Sequence, residues 1–177
     1  KKRTPEYTLN DIGYFSLPGR KHRYRDWKVG GHGKVDLHKS LVVSCDTYFY
    51  GLAYDLGIEA IHNYIKQFGL GEKTGIDILG EVSGLLPSPE WKMRRHKQQW
   101  YVGDTISVGI GQGYNLTTPL QLAFSTSILA NKGHAFQPFL VKRITNDQTG
   151  LVQNKQKTLL YSVAHEPENM DLVRRAL

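Results

Sequence analysis

The segment that decides the fold is LVVSCDTYFY, residues 41–50. It places a hydroxyl, Ser44, two positions before a short carboxylate, Asp46, where one helical pattern breaks and another begins. Ser and Asp are common N-cap residues, so capping is the ordinary interpretation of such a pair taken alone. The pattern nevertheless predicts a turn between two helices that can expose both side chains.

Helical patterns continue on both sides of this turn. Asp36 can cap a helix from Leu37 to Val43, and a second helix is predicted from Asp46 or Thr47 to about Leu56. Farther along, the sequence predicts a helix over 58–68, a loop over 74–89, a helix start at 88–91, a helix from Pro119 to about Asn131, and strands over 139–145 and 151–153. Because most helices precede the strands, the pattern indicates an α+β domain.

Three parts of one domain follow from these patterns. Residues 1–35 are rich in Gly, Arg and Tyr and are predicted to be loop with strand fragments. Residues 36–135 form a predicted helical region, and residues 136–177 a strand hairpin and the start of a helix that reaches Leu177. Both termini are interpreted as cuts within a larger domain.

The chain is basic, with a net charge of +7 and a pI near 9.4. The basic residues fall mainly in 1–39 and in 92–97, a run predicted to lie in a loop. The sequence has no zinc-finger spacing, basic heptad helix or RNA-binding aromatic signature, so a solvated basic face is favoured and no nucleic-acid partner is predicted. No apolar run reaches the ~18 residues of a membrane span, so a membrane anchor is expected outside this chain.

A resemblance to a known family rests on three segments in a fixed order. These are LVVSCDTYFY (41–50), GLGEKTGID (69–77) and GDTISVGIGQG (103–113), the last followed by TPLQ (118–121). They resemble class B penicillin-binding proteins over about Val35 to Thr145. The resemblance implies the penicilloyl-serine transferase fold, whose active site carries three boxes, Ser-x-x-Lys, Ser-x-Asn and Lys-Thr-Gly.

Ser44 aligns with the serine of the second box in that family. The resemblance implies that its hydroxyl relays a proton between the lysine of the first box and the leaving group. Asp46 stands where most families have Asn, which is similar to the elongation-specific group called penicillin-binding protein 2. Its implied role is to hold the lysine or the amide of the substrate.

The other two boxes are expected outside this chain. No Ser-x-x-Lys occurs in the 177 residues, so the nucleophile is expected before Lys1. Lys73-Thr74-Gly75 matches the third box but follows a helix end by two residues, so we interpret it as a chance match in a surface turn. The active third box is expected after Leu177. Residues 109–113 lack the spacing of a dinucleotide loop and are predicted to form a tight turn below the active site.

A metal site is a separate hypothesis. Asp11, Asp26, His32 and Cys45 offer oxygen, nitrogen and sulfur donors on predicted loops. Their spacing alone is weak evidence, because a lone Cys is usually a small core residue. The resemblance implies a zinc site, because relatives with Cys in the middle of the second box carry one on this loop. The expected role of Zn²⁺ is structural.

The resemblance also implies a function for the whole protein. It indicates a periplasmic peptidoglycan D,D-transpeptidase, anchored in the inner membrane, that cross-links stem peptides during cell elongation through a serine acyl-enzyme and is a β-lactam target. Its implied partners are stem peptides, β-lactams, a SEDS-type glycosyltransferase and other elongation-complex proteins. The alternatives are a related serine β-lactamase or D,D-carboxypeptidase, or a non-catalytic module that is either zinc-stabilised or binds nucleic acid.

Overall fold

The computed structural model describes residues 3–163 and 166–177; Lys1, Lys2, Ala164 and His165 lie outside the described residues, although the predicted parts include them. The helices are α1 (Leu37–Val42), α2 (Asp46–Leu56), α3 (Ile58–Lys66), α4 (Pro89–His96), α5 (Val102–Val108), α6 (Pro119–Ala130) and α7 (Pro167–Arg174). The strands are β1 (Leu9–Asp11), β2 (Tyr14–Phe15), β3 (Tyr24–Arg25), β4 (Gly33–Val35), β5 (His134–Phe136), β6 (Arg143–Thr145), β7 (Val152–Asn154) and β8 (Leu159–Ser162). The α+β prediction is confirmed.

Residues 3–35 fold back on themselves through two short antiparallel pairs. Strand β1 pairs with β4, which places Asp11 opposite Gly33, and β2 pairs with β3. The loop before β4 passes so close to β1 that a Cβ on Gly31 would lie 2.3 Å from the Asp11 carbonyl oxygen. Gly31 also has φ of 78°, so glycine is required there. This close approach brings the His32 region against Asp11.

A three-residue turn separates α1 from α2. The Asp36 carboxylate accepts a hydrogen bond from the Lys39 N–H at 2.8 Å, which caps α1 as predicted. After α1, Ser44 has φ of 52°, a left-handed conformation that is unusual for a residue with a side chain. Cys45 is then the N-cap of α2. The predicted helix bounds on both sides hold to within one residue.

Helix α2 packs against α3 and α5, forming the part of the core behind this turn. The buried apolar residues of this part of the core are Ala53, Ile58, Ile61 and Val108. The end of α5 lies so close to α2 that a Cβ on Gly109 would be 2.3 Å from that of Ala53. Helix α5 was not predicted, because its Gly, Thr, Val and Ser residues have modest helix propensity.

The basic run 92–97 is not in a loop, so that prediction is wrong. It lies in α4, where the Ser88 hydroxyl accepts from the Trp91 N–H at 3.2 Å, and the helix ends at Lys97 with φ of 56°. Lys, Met and Arg are good helix formers, and the Ser-Pro start signal decides the local structure. The prediction of a solvated basic face is correct for Arg94 and Arg95, which are exposed, whereas Lys92 is only 2% exposed.

The C-terminal part contains two hairpin-like pairs, β6 with β7 and β5 with β8. Strand β5 begins at His134, so the predicted end of the helical region at 135 is misplaced. The strand predicted over 139–145 starts only at Arg143, because the N–H groups of Leu140 and Val141 donate to the Asp77 carboxylate at 2.7 and 3.3 Å. The final helix ends at Arg174, three residues before Leu177, which the predicted helix reaches. Within residues 3–163 and 166–177, no helix has the length and apolar character needed to cross a membrane.

Candidate active-site turn and metal centre

Ser44 is exposed at the turn between α1 and α2. The indole N–H of Trp27 donates to the carbonyl oxygens of Ser44 and Val43, at 2.9 and 3.1 Å, and so fixes the backbone of this turn. The turn opens onto a groove of about 670 Å³ lined by Trp27, Lys28, His32, Val42, Val43 and Ser44. The Ser44 side chain therefore lines a space that a reacting group can enter.

Asp46 begins α2 and is half-buried. Its carboxylate accepts a hydrogen bond from the Trp27 backbone N–H. Burial, followed by the nearby Asp26 carboxylate, raises the pKa of Asp46. Asp46 is thus held in place by the same tryptophan that fixes Ser44, and the two side chains flank the buried Cys45.

The four residues predicted to bind metal meet at one point. One donor atom from each of Asp11, Asp26, His32 and Cys45 lies within 4.8 Å of the other three. The His32 Nδ1 is 2.8 Å from Asp11 Oδ2 and 3.5 Å from Asp26 Oδ1. The Cys45 Sγ is 3.5 Å from Asp11 Oδ2. The structure therefore assembles the side chains that the sequence pointed to.

This cluster is enclosed. Asp11 is 1% exposed, Asp26 6% and Cys45 0%. Backbone N–H groups orient both carboxylates, from Gly13 and His32 to Asp11, and from Lys28 and Thr47 to Asp26. Backbone donors therefore help to hold both carboxylates in the cluster.

The electrostatics of the cluster favour a bound cation. Burial alone would raise the pKa of Asp11, but hydrogen bonds from Gly13 and His32 outweigh it and lower that pKa to about 2. Burial raises the pKa of the Cys45 thiol to about 12, and the Asp11 and Asp26 carboxylates add to that effect. Two buried carboxylates with one imidazole between them lack full charge compensation. In addition, the buried His32 Nε2 has no hydrogen-bond partner among the described residues.

The donor set itself fits zinc. One thiol, one imidazole and two carboxylates can fill the tetrahedral shell that Zn²⁺ adopts in structural sites. A divalent cation would also deprotonate the thiol, because metal coordination stabilises the thiolate. The four residues therefore fit the metal that the resemblance implies.

Comparison with known proteins agrees with this geometry. The sequence profile described as the penicillin binding protein transpeptidase domain matches residues 3–177. The chain belongs to the penicillin-binding protein transpeptidase family. A peptidoglycan D,D-transpeptidase MrdA from Acinetobacter baumannii is 49% identical over 146 residues, covering 82% of this chain and 22% of that relative. The transpeptidase chain thus spans about a quarter of the length of the curated relatives it matches.

Solved structures of penicillin-binding proteins share the fold of this transpeptidase chain. Penicillin-binding protein 2 from Pseudomonas aeruginosa, in complex with WCK 5153, is 41% identical with a TM-score of 0.87 over 98% of this chain and 38% of that one. Penicillin-binding protein 2 from Helicobacter pylori, in complex with MreC, is 30% identical with a TM-score of 0.81 over 98% and 30%. The predicted family, group and fold are confirmed.

In this transpeptidase chain, Lys73-Thr74-Gly75 lies in a loop outside any strand. The Glu81 carboxylate accepts from the Thr74 hydroxyl and N–H, both at 2.6 Å, and from the Gly75 N–H at 3.0 Å. The Thr74 side chain is buried by this contact. These bonds give the tripeptide a structural role in its loop, in keeping with its interpretation as a chance match.

Two features of the transpeptidase chain were missed by sequence reasoning. Trp27 is 65% exposed, yet it links the loop-rich region to the Ser44 turn, and nothing in its local sequence marks that role. Lys92 forms a buried ion pair with Asp104, Nζ to Oδ2 at 2.5 Å. The capped start of α4 was the available signal, because a Lys four residues after the Ser88 N-cap lies in the helix rather than in a loop.

Proposed function

We propose that this chain is part of the transpeptidase domain of a peptidoglycan D,D-transpeptidase that cross-links stem peptides during cell elongation. The observation that supports it most is the exposed Ser44, held in a left-handed turn by Trp27, in a chain 49% identical to a named D,D-transpeptidase. In the whole protein, a serine of the first box attacks the carbonyl of the penultimate D-Ala of a stem peptide, expels the terminal D-Ala and forms an acyl-enzyme; β-lactams resemble that substrate and acylate the same serine.

Ser44 supplies the proton relay in this proposal. Ser44 lines the groove, and the bond from Trp27 to its carbonyl fixes the backbone from which the side chain projects. A fixed hydroxyl can pass a proton between a general base and a leaving amine. Asp46, on the other side of Cys45, accepts the Trp27 N–H, so the same tryptophan restrains both ends of the turn.

The proposed cofactor is one structural Zn²⁺ held by Asp11, Asp26, His32 and Cys45. When bound, it compensates the buried negative charge and, with four protein ligands, keeps no open position for substrate or water. Its contribution to activity is indirect, because Cys45 lies between Ser44 and Asp46. Asp26 adds a second link, since it accepts from the Thr47 N–H in the first turn of α2.

The location and partners of the whole protein belong to the same proposal. A cross-linking enzyme meets its substrate in the periplasm, so we place the protein there, anchored in the inner membrane by a segment outside this chain. The Helicobacter pylori relative forms a complex with MreC, which supports a partner from the elongation complex. We extend the proposal to a SEDS-type glycosyltransferase that supplies uncross-linked strands.

The proposed roles are tested by comparing Ser44→Ala with Lys73→Ala in the complete protein. Ser44→Ala should lower the rate of acylation by a fluorescent penicillin by roughly 10²- to 10⁴-fold, as for the loss of one acid-base group. Its thermal stability should change little, because Ser and Ala meet the same strain at a positive φ. Lys73→Ala should acylate at the parent rate. The reverse ranking would show that the second box is wrongly assigned.

The metal is tested by elemental analysis of the complete protein and its Cys45→Ser variant. The parent should contain one zinc per chain, and the variant much less, with a lower unfolding temperature because metal binding is linked to local folding. Ser40→Ala is a matched control, since Ser40 is equally buried but lies outside the cluster. Equal zinc in parent and Cys45→Ser would remove Cys45 from the ligand set.

A further inference from the structure

The loop between β2 and β3, together with the residues that follow it up to Lys28, forms a strongly basic segment. Five positively charged residues fall within nine positions, and all five are exposed: Arg20, Lys21, Arg23, Arg25 and Lys28. The single acid in that stretch, Asp26, is buried in the four-residue cluster. We call residues 20–25 the basic hairpin tip.

These charges lack internal compensation. Among residues 3–163 and 166–177, none of the five side chains forms an ion pair with a carboxylate. The basic hairpin tip is therefore a surface whose charge is available to a ligand.

The tip is also built to hold its shape. Tyr24 packs on Phe15 and Tyr50, with ring centroids 6.4 and 5.7 Å away, and the Arg25 carbonyl accepts from the Tyr50 hydroxyl at 3.3 Å. The Arg23 guanidinium lies 4.4 Å from the centre of the Tyr14 ring. A guanidinium held against an aromatic face loses less entropy when it binds a carboxylate, which it can do in a bidentate manner.

The basic strip leads towards the Ser44 groove. Two residues after Arg25, Trp27 donates to the Ser44 carbonyl, and the next residue, Lys28, lines the same groove as Ser44. Lys28 is therefore shared by the groove and the basic segment, only three residues along the chain from Arg25. Within the tip itself no large apolar side chain is exposed, whereas Trp27 and Val29 beyond it are 65% and 98% exposed, so binding to vesicles is measured as the alternative.

We propose that the basic hairpin tip binds the carboxylates of a peptidoglycan strand, beyond the stem peptide that reacts. This rests on the proposed function, because it takes the polymeric substrate of that reaction as the ligand. The tip would hold neighbouring stem peptides, each of which carries free carboxylates, while one stem occupies the groove. It thereby selects strands over short fragments.

The test uses the complete protein, first acylated by a β-lactam so that the acyl site cannot contribute to binding. Acylation of the parent shows that the serine chemistry on which the proposed function depends is intact; failure to acylate would refute that function whatever the tip does. Binding of soluble uncross-linked peptidoglycan strands is then measured by fluorescence anisotropy at low salt. The triple variant R20Q/K21Q/R23Q is compared with the matched control K142Q/R143Q/K155Q, which removes the same charge from exposed positions around β6 and β7.

The triple variant should bind strands about tenfold more weakly, since each exposed charge pair contributes modestly and three are lost. The control should bind like the parent, and R20K/R23K should restore only part of the binding lost in R20Q/R23Q, because Lys keeps the charge but not the bidentate geometry. Strands with amidated carboxylates should bind the parent as weakly as native strands bind the triple variant. Unfolding temperatures confirm that each variant is folded.

Two results would overturn the proposal. One is equal binding of native strands by the parent and the triple variant. The other is a triple variant that loses binding to phosphatidylglycerol vesicles but keeps its affinity for strands, which would assign the tip to anionic headgroups instead.

Discussion

Replacing Lys92 by Met removes an ammonium group from a buried ion pair while keeping a side chain of similar length. The Lys92 side chain is 3% exposed and that of Asp104 18%. Asp104 also accepts the Tyr101 N–H at 2.8 Å, which caps α5, so the pair joins α4 to the start of α5. Since α5 packs on α2, this ion pair supports the helix behind the Ser44 turn.

The magnitude follows from what each substitution leaves behind. Lys92→Met leaves the Asp104 carboxylate with one backbone donor and partial access to water, so we expect a loss of about 3 kcal/mol, at the low end for breaking a buried pair. Asp104→Asn leaves an ammonium surrounded by Trp100, Tyr101 and Tyr114, at 4.7 to 5.9 Å from their ring centres. These rings offset part of its cost, up to about 2 kcal/mol.

The assay is urea unfolding of the complete transpeptidase domain, arranged as a double-mutant cycle. In the double variant K92M/D104N neither charge is left alone. Its loss of stability should therefore be at least about 1 kcal/mol smaller than the sum of the two single losses. Lys66→Met is the matched control, since Lys66 pairs with Glu72 at 3.2 Å on the surface, with both side chains more than half exposed. It should cost less than about 0.5 kcal/mol. A Lys92→Met loss no larger than that of Lys66→Met would refute the reasoning.

Two further predictions concern other contacts. Burial would raise the pKa of Glu81, but hydrogen bonds from Thr74 and neighbouring N–H groups outweigh it and lower the pKa. Glu81 therefore stabilises the fold above its unfolded pKa, and that contribution is lost as pH falls through the folded value. Glu81→Gln should therefore lower stability by about 1 kcal/mol at neutral pH and reduce the acid sensitivity of thermal unfolding, and an unchanged pH profile would contradict this. Gly109→Ala should destabilise the fold by about 1–3 kcal/mol, because the added methyl group overpacks against Ala53. In chemical unfolding, adding Ala53→Gly should recover part of that loss, and no recovery would place the strain elsewhere.

Local signals made some elements predictable. Helix α6 begins at Pro119 as expected, because Thr118 and Gln121 form a capping box in which each side chain accepts from the other's N–H. Helix α2 was predicted for similar reasons, since Gly57 ends it with its N–H bonded to the Ala53 carbonyl. In both cases the deciding contacts lie within a few residues along the chain.

Contacts between distant residues explain what could not be predicted. Asp11 and His32 are 21 residues apart and meet only because β1 pairs with β4, so their spacing alone carried no information. The late start of β6 depends on Asp77, more than 60 residues earlier in the chain. The four metal-binding candidates were named through the resemblance, whereas Lys92 was missed because its partner Asp104 lies beyond the end of its own helix.

The hydrogen bond from Trp27 to the Ser44 carbonyl also gives the protein a built-in spectroscopic reporter. The sequence contains three tryptophans, and the indole N–H of Trp27 is bonded to the turn itself. The indole of Trp100 instead donates to the Thr105 hydroxyl at 2.8 Å, away from this turn. The indole proton resonance of Trp27 therefore reads out the geometry of the second box directly, and that of Trp100 serves as an internal reference in the same spectrum.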